Sequence, residues 1–269
     1  MFFPMIEGQF SSILLFLSFF IFYGLGNFFP LAIGSRKHFW TNIGFALVLF
    51  GLNAASTALT IYVAQWTSKS GVGLFNIIDI PIWCQLLISI LVLDLWAGYL
   101  PHFIFHNSVF LWHFHSIHHS DNHVDVTTTF RKHPIEGIMN IFFNVSGLVI
   151  LGLPLWMLLV YVTISTIHAQ LEHANISLPT KLDKILQTVF VTPNMHKVHH
   201  SLDKRESNSN YSNIFSIWDR IFRTYRKKDS YADIAYGLDY VPEKSSKSFW
   251  RLMAWPIKSV KIFSKNTNS

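Results

Sequence analysis

The sequence predicts an all-α, polytopic membrane protein. Three observations support this fold class: 51% of the 269 residues are hydrophobic, only 13% are charged, and long apolar runs recur along the chain. Soluble proteins carry about 25% charged residues, so the composition excludes an ordinary soluble domain. The N-terminal run has neither a basic start nor a cleavage pattern typical of a signal peptide. We expect it to remain as the first membrane span.

The spans are visible as apolar runs, since about 20 apolar residues cross the hydrocarbon core of a bilayer. The first run covers about residues 10–33, the second 39–66 and the third 77–105. A fourth run, 135–168, is interrupted at residues 152–154, where the sequence is Gly-Leu-Pro. Glycine and proline disfavour a straight helix. The fourth run therefore predicts a hairpin of two short helices.

The distribution of lysine and arginine predicts the orientation in the membrane. Of 21 such residues, 16 follow Asn175, two (Arg36 and Lys37) lie in the first loop and two (Arg131 and Lys132) lie in a His-rich loop. Basic residues accumulate on the cytoplasmic side. We expect both loops and the C-terminus to face the cytoplasm, at a bacterial inner membrane or the endoplasmic reticulum.

The chain divides by composition into three regions. Residues 1–76 form a two-span membrane segment, 77–226 carry the chemistry-bearing motifs, and 227–269 form a basic tail. A basic tail binds either nucleic acid or anionic lipid. Aromatic side chains interleaved with the charges after residue 175 favour a membrane surface over nucleic acid; they are Trp218, Phe222, Trp250 and Trp255. The single cysteine, Cys84, excludes a disulfide framework.

Histidines are concentrated in the middle region. Of 14, only His38 lies outside residues 102–200, and the others come in spaced groups. These are "HFIFH" (His102, His106), "HSIHH" (His115, His118, His119), "HAQLEHAN" (His168, His173) and "HKVHH" (His196, His199, His200). Helical residues at i, i+3 and i+4 share one face, and neutral imidazole is the commonest metal ligand. A mononuclear site uses three or four protein ligands, so eight or more donors suit two ions.

Not every histidine fits this pattern. One histidine at the end of a span is usually a satisfied polar group, but two matching triplets on one side of the membrane are not explained that way. His113 lies two residues before His115, so we expect it to face another direction at the surface. His123 and His133 lack a partner at ligand spacing and are expected to have structural or supporting roles.

The motifs carry a family resemblance. They are "DLWAGYLPHFIFH", "LWHFHSIHH", "DVTTTFRKHPIE", "HANI", "TPNMHKVHH" and "NYSNIFSIWDRIFRTY", in unbroken order over about residues 90–226. In these the chain resembles the fatty acid hydroxylase/sterol desaturase superfamily of integral-membrane di-iron oxygenases. The resemblance implies about four crossing helices and a cytosolic helical cap that carries a His-rich dimetal site. It also implies two iron ions, O2 as co-substrate and electrons from a separate protein of the cytochrome b5, ferredoxin or reductase type.

The resemblance also implies a ligand set. Matched residue by residue, the ligands would be His102, His106, His115, His118, His119, His173, His196, His199 and His200. His168 is a tenth candidate, although relatives place the corresponding histidine at a different spacing. The chain departs from the family in having Phe103 where many members have arginine, and Ser212 where glycine is usual. Neither departure removes a ligand.

Residues around the ligands are expected to orient them. The ring nitrogen away from a metal needs an acceptor, and six acids lie in the motif region: Asp94, Asp121, Asp125, Glu136, Glu172 and Asp219. Asp94 is preferred, because a carboxylate inside an apolar span is costly without a partner. Arg131 is expected to pair with one of the acids, and Asn175 to lie close to the metal as part of "HANI".

Three functions remain open. The leading one is O2-dependent hydroxylation or desaturation of a membrane lipid, because breaking an unactivated C–H bond needs a redox-active metal such as iron. The second is a zinc-dependent hydrolase or lyase, with zinc as the substitute metal. The third is a non-enzymatic metal-binding membrane protein. Sterol, fatty acyl, sphingoid, glycerol ether and carotenoid lipids are all compatible with the motifs.

Overall fold

The computed structural model describes residues 3–33, 38–228, 230–231 and 233–266, and its secondary structure is helical. Within these ranges there is no strand, and β-type pairing is limited to three isolated bridges. The all-α prediction is confirmed. The helices are α1 (Phe3–Phe28), α2 (Phe39–Ser70), α3 (Ile82–Leu93), α4 (Leu100–Asn107), α5 (Val109–His119), α6 (Pro134–Leu151), α7 (Leu155–His173), α8 (Thr180–Leu186), α9 (Pro193–His199), α10 (Lys204–Ser207), α11 (Ile217–Ile221), α12 (Glu243–Ser246), α13 (Phe249–Met253) and α14 (Trp255–Asn266).

Five helical segments among the described residues are long and apolar enough to cross a membrane: Gln9–Phe28, Phe39–Asn76, Ile82–Asn107, Pro134–Leu151 and Leu155–His173. The third joins α3 to α4 through a π-helical turn. Large apolar side chains such as Phe16, Phe50 and Leu87 are exposed on these segments. Such faces are costly in water and suit lipid.

The predicted hairpin is present between α6 and α7. Gly152 ends α6 with a φ of 73°, a left-handed conformation that glycine adopts readily, and Pro154 directly precedes α7. The two arms are 18 and 19 residues long. The first matches the predicted start of the run at about residue 135, and the second is longer than predicted because α7 continues past residue 168 to His173.

The second to fifth membrane segments share one apolar core. Leu93 of α3 packs with Leu148 of α6 and Met157 of α7, all fully or almost fully buried. α3 and α6 approach closely at Gly147, where an added Cβ would lie 2.4 Å from a Leu93 methyl group. This core fixes the helices whose ends carry histidines.

A second apolar cluster ties the C-terminal segment to the rest of the protein. Trp255 at the start of α14 and Leu252 of α13 pack against Phe45 of α2 and Ile117 of α5. The expectation that Trp255 lies on a membrane surface is therefore wrong: the residue is 3% exposed, because it packs into this cluster, whereas Trp250 is exposed.

The chain after α1 is fastened to the chain after α7. The Asn175 side chain accepts from the Ala32 N–H at 3.0 Å and donates to the Ala32 carbonyl at 2.7 Å. The Leu31 N–H also donates to the Asn175 carbonyl at 3.2 Å. Asn175 thus fixes the N-terminal segment beside the end of α7. Arg36 and Lys37, two of the basic residues that predict the orientation in the membrane, lie outside the described residues.

Candidate metal centre

Four helices bring histidines to one region of the molecule. Two of them, α5 and α9, begin at a capping hydroxyl. Ser108 Oγ accepts from the Leu111 N–H at 3.3 Å, and Thr192 Oγ1 accepts from the Met195 N–H at 3.2 Å. Side-chain caps of this kind define the first turn of a helix. They therefore set the register in which each His-x-x-His-His triplet is presented.

Nine histidine rings form two adjacent groups. Within each group the ligand atoms all lie within 4.8 Å of one another. Histidine group one consists of His102, His106, His115, His119 and His199, and histidine group two of His118, His173, His196 and His200. The groups touch, since the rings of His119 and His200 stack with centroids 4.7 Å apart.

The division of each triplet follows from helix geometry. Successive residues are turned by about 100°, so i+4 lies about 40° from i in one sense and i+3 about 60° in the other. The three rings share one broad face, but i+3 lies at the opposite edge of that face from i+4. In α5, His115 and His119 accordingly join group one, whereas His118 joins group two. The second triplet is divided in the opposite sense: only its i+3 residue, His199, belongs to group one.

The spacing in group two fits a single cation. His173 Nε2 lies 3.1, 3.0 and 3.2 Å from Nε2 of His118, His196 and His200. A ring nitrogen carries either one hydrogen or one lone pair, so hydrogen bonds cannot satisfy three such contacts at once. Four nitrogens about 2.0–2.1 Å from a tetrahedral ion would be about 3.3 Å apart. The donor set therefore fits a bound metal.

Group one also contains ring nitrogens that hydrogen bonds do not satisfy. Nε2 of His102, His115 and His199 is buried without a hydrogen-bond partner among the described residues. A buried polar group left unsatisfied costs about 1–3 kcal/mol. A cation held by these nitrogens removes that cost.

The outer nitrogens of group one are held by one short segment. Residues 207–211 supply acceptors for four of its five rings, which presents Nε2 of each ring to the interior. The pairs are His119 Nδ1 with Ser207 Oγ at 3.4 Å, His106 Nδ1 with Asn208 Oδ1 at 3.2 Å, His199 Nδ1 with the Ser209 carbonyl at 2.7 Å and His102 Nδ1 with the Tyr211 carbonyl at 2.9 Å.

Two buried glutamates lie near other rings: Glu136 is bonded to one ring of group one, and Glu172 lies beyond hydrogen-bond distance of two rings of group two. Glu136 Oε2 lies 2.7 Å from His115 Nδ1, which is the fifth anchor of group one. In group two the Glu172 carboxylate lies 3.7 Å from His173 Nδ1 and 3.6 Å from His196 Nδ1. Of the six candidate acids, these two approach the rings of the two groups.

The environment keeps the rings neutral. Burial, followed by neighbouring imidazoles, holds the pKa of His118, His119 and His200 well below the usual 6.5. Burial also lowers the pKa of His199 to about 3. Neutral imidazole is the form that binds a metal.

Asp94 lies elsewhere than expected. Its carboxylate accepts from the Ile214 and Phe215 N–H groups and from Trp218 Nε1, each at 3.0 Å, and from no histidine in the described part of the chain. It joins the third membrane segment to the chain around residues 214–218. The expectation that Asp94 orients a ligand ring is corrected by these contacts, because backbone donors brought from far along the chain satisfy the carboxylate.

Arg131 and Asn175 also have other partners than expected. Arg131 is fully buried, but it donates to neutral oxygens of Ile117, Asn42, Ser120 and Ser246, and the described residues include no carboxylate bonded to it. It therefore braces α2, α5 and the C-terminal segment. Asn175 fastens Ala32, as described above, and binds neither histidine group.

The other histidines lie outside both groups. His168 Nε2 bonds to the Val191 carbonyl at 2.9 Å, and His133 caps α6 by accepting from the Ile135 N–H. The expectation for His113 is wrong: it is buried, with Nδ1 2.8 Å from Ser259 Oγ, because α14 covers that face of α5. His123 is buried with its ring 5.6 Å from that of His38.

Two features of the site were missed in the sequence. The acceptor segment 207–211 is signalled only weakly, by alternating short polar residues in "SNSNY" soon after the last triplet. Lys197, inside that triplet, is completely buried and donates to the carbonyls of Val124 and His173. Its sequence position gives no sign of this, since lysine is almost always exposed unless it is paired.

Comparisons with known proteins agree with this geometry. The Fatty acid hydroxylase family profile matches residues 86–224. An ornithine lipid hydroxylase of Rhizobium tropici is 29% identical over 176 residues, which are 65% of this chain and 51% of the relative. The alkylglycerol monooxygenase of Caenorhabditis elegans is 26% identical over 223 residues, 81% of this chain and 41% of the relative. The alkylglycerol monooxygenase of Danio rerio is 25% identical over 189 residues, which are 69% of this chain and 39% of the relative.

The chain spans about half or less of the length of these curated relatives. No solved structure matches it significantly. The family match covers all nine grouped histidines and all of residues 207–211. Together with the five apolar helices, these matches identify a multi-pass membrane protein with a histidine-rich centre.

Proposed function

The chain belongs to the fatty acid hydroxylase family, and from this premise we propose that it is an O2-dependent, di-iron hydroxylase of a polar membrane lipid. The observation that carries the proposal is the convergence of nine imidazoles, seven buried and two half-buried, from α4, α5, α7 and α9 on two adjacent points. Five and four donors exceed the needs of one ion and suit two. Residues 77–226 would form the catalytic region.

The metal assignment follows from the donors and the chemistry. Iron bound by these imidazoles would supply the redox chemistry that activates O2 towards an unactivated C–H bond, which zinc does not supply. The residues of the chain hold neutral rings at fixed orientation, through the Nδ1 acceptors of segment 207–211 and Glu136. Water is limited by the surrounding burial. Zinc remains a substitute that would occupy the same nitrogens without turnover.

Hydroxylation is supported over desaturation by the relatives. The similar proteins are named for hydroxylating an ornithine lipid and for monooxygenation of alkylglycerols. Both names describe oxygenation, of an ornithine lipid in one case and of an alkylglycerol in the other. For this chain we propose the substrate class of polar, long-chain lipids and not a particular lipid.

The site would lie at the cytoplasmic membrane surface. The centre is built where α4 and α7 end, at Asn107 and His173, so both membrane segments deliver their ligands at the same side. Basic residues near this side, including Lys132 in the adjoining loop, support a cytoplasmic location by the positive-inside rule. Electrons would come from a separate donor protein of the cytochrome b5, ferredoxin or reductase type.

The proposal is tested with purified, iron-loaded protein and with lipid extracts. We expect about two irons per chain, and mass spectrometry of a deletion strain should show the loss of a lipid species heavier by one oxygen than its precursor. A missing species lighter by two hydrogens would indicate desaturation and overturn the hydroxylase assignment. Turnover without O2 and reductant, or a chain that binds no iron, would overturn the oxygenase proposal.

A further inference from the structure

Lys197 has an unusual position for a lysine. It lies in α9 between two ligand candidates, His196 and His199, and is completely buried. Its Nζ donates to the Val124 carbonyl at 3.0 Å and to the His173 carbonyl at 2.5 Å. Among the described residues no carboxylate forms an ion pair with it. Burying a lysine costs free energy unless its N–H groups are hydrogen-bonded. A buried lysine is therefore expected where its N–H groups satisfy buried acceptors.

The His173 carbonyl identifies that need. His173 is the last residue of α7, and the last carbonyls of a helix have no partner within the helix. A cationic or amine donor at this end is favoured by the helix dipole. Lys197 therefore caps α7 from α9. Both α7 and α9 supply histidines to group two. The Lys197 hydrogen bond joins the two helices next to these histidines.

Group two has few other supports. In group one every outer ring nitrogen faces an acceptor, as described above. In group two only His173 Nδ1 has a close one, the Ala169 carbonyl at 2.7 Å, whereas Nδ1 of His118, His196 and His200 is buried without a partner among the described residues. The geometry of group two therefore depends on where the backbones of α7 and α9 are held.

We propose that Lys197 is the positioning residue of group two: by bonding the His173 carbonyl across from α9, it sets the spacing of His173 against His196 and His200. The proposal rests on the proposed function, in that group two is taken to hold one of two ions. It adds that the two sites are braced separately, group one by residues 207–211 and group two by Lys197. The cap serves in either protonation state, since both an ammonium and an amine donate.

The test compares Lys197→Met, which keeps the length of the side chain and removes its donors, with the matched exposed change Lys184→Met. Metal per chain is measured on purified protein, and the affinity of each ion by chelator competition with Fe²⁺ and with Co²⁺. Outer residues of metal sites typically contribute about 10–100-fold in affinity. We expect Lys197→Met to weaken one ion by that factor and leave the other unchanged, and Lys184→Met to match the parent.

The absorption of bound Co²⁺ gives a second readout, because it reports the geometry of each site. The spectrum of one ion should change in Lys197→Met while that of the other is retained, which also shows that the variant is folded. If Lys197→Met is not recovered as folded protein, Lys197→Gln, which keeps a neutral donor, should show the same one-site loss in weaker form.

Two outcomes would overturn the inference. Retention of both ions with parental affinity in Lys197→Met would show that the cap does not position group two. Equal weakening of both ions in Lys197→Met or Lys197→Gln would show a general structural role. A parent protein that binds no metal would instead refute the proposed function, so the two failures are distinguishable.

Discussion

Glu136 Oε2 lies 2.7 Å from His115 Nδ1, with both side chains buried. This contact fixes the ring orientation and makes Glu136 the carboxylate partner in group one. Removing it in Glu136→Ala leaves a buried ring N–H without an acceptor. We expect the affinity of one ion to fall about 10–100-fold, measured by chelator competition. Glu136→Gln retains an oxygen acceptor and should lose less.

Glu136 also accepts from the His133 N–H at the start of α6. Thermal unfolding of both variants in detergent separates a loss of this cap from a loss of metal affinity. Parental metal affinity in folded Glu136→Ala would refute the orienting role.

His118 and His199 belong to different groups, although each is the i+3 residue of its triplet. His118→Ala should therefore weaken the ion of group two and His199→Ala that of group one, and both should abolish O2-dependent turnover. Iron per chain, measured by mass spectrometry, is expected to fall from about two to about one in each case. The control is His168→Ala, since His168 lies outside both groups and should leave two ions bound. Full metal content and activity in His118→Ala would contradict the ligand assignment.

Asn208 Oδ1 is the acceptor for His106 Nδ1 at 3.2 Å and lies on an exposed residue. Because water can partly replace it, Asn208→Ala should lower the affinity of the group-one ion by only about 10-fold, the lower end of the usual range. Asn208→Asp keeps an acceptor and should bind like the parent. Titration with Co²⁺ checks this, and weakening of the group-two ion instead would argue against the separate bracing.

Asp94 accepts three N–H donors inside the protein. Asp94→Ala leaves those donors buried, at about 1–3 kcal/mol for each, so we expect a markedly lower melting temperature in detergent. Iron per folded chain should stay at the parental value, since Asp94 touches no ligand ring. Asp79→Ala removes an exposed aspartate and is the control. A loss of iron from folded Asp94→Ala, without a loss of stability, would restore the role that its sequence position suggested.

The elements that local sequence determines could be predicted. The break at Gly152 and Pro154 follows from backbone preferences, and the facing of His115, His118 and His119 follows from helical periodicity. The division of each triplet between two groups is also implicit in the 100° turn per residue, although it becomes meaningful only once α5 and α9 face each other.

The partners that come from distant sequence could not be predicted. Asp94 is satisfied by residues 120 positions or more along the chain, and His113 is buried only because α14 folds back over α5. For both Asp94 and His113, the local sequence identifies the polar side chain but does not indicate which distant residue lies beside it. Burial of an ionisable side chain shows that a partner is required, whereas the fold decides which one.

The opposite division of the two His-x-x-His-His triplets has a mechanical consequence. α5 and α9 each present rings to both histidine groups, so neither helix can move outwards without displacing rings of both groups. The spacing between the two histidine groups is therefore set by single helical turns of α5 and α9. Under the proposed function, a lipid would reach a centre of fixed geometry, and any motion that admits it would occur in the residues around the two histidine groups.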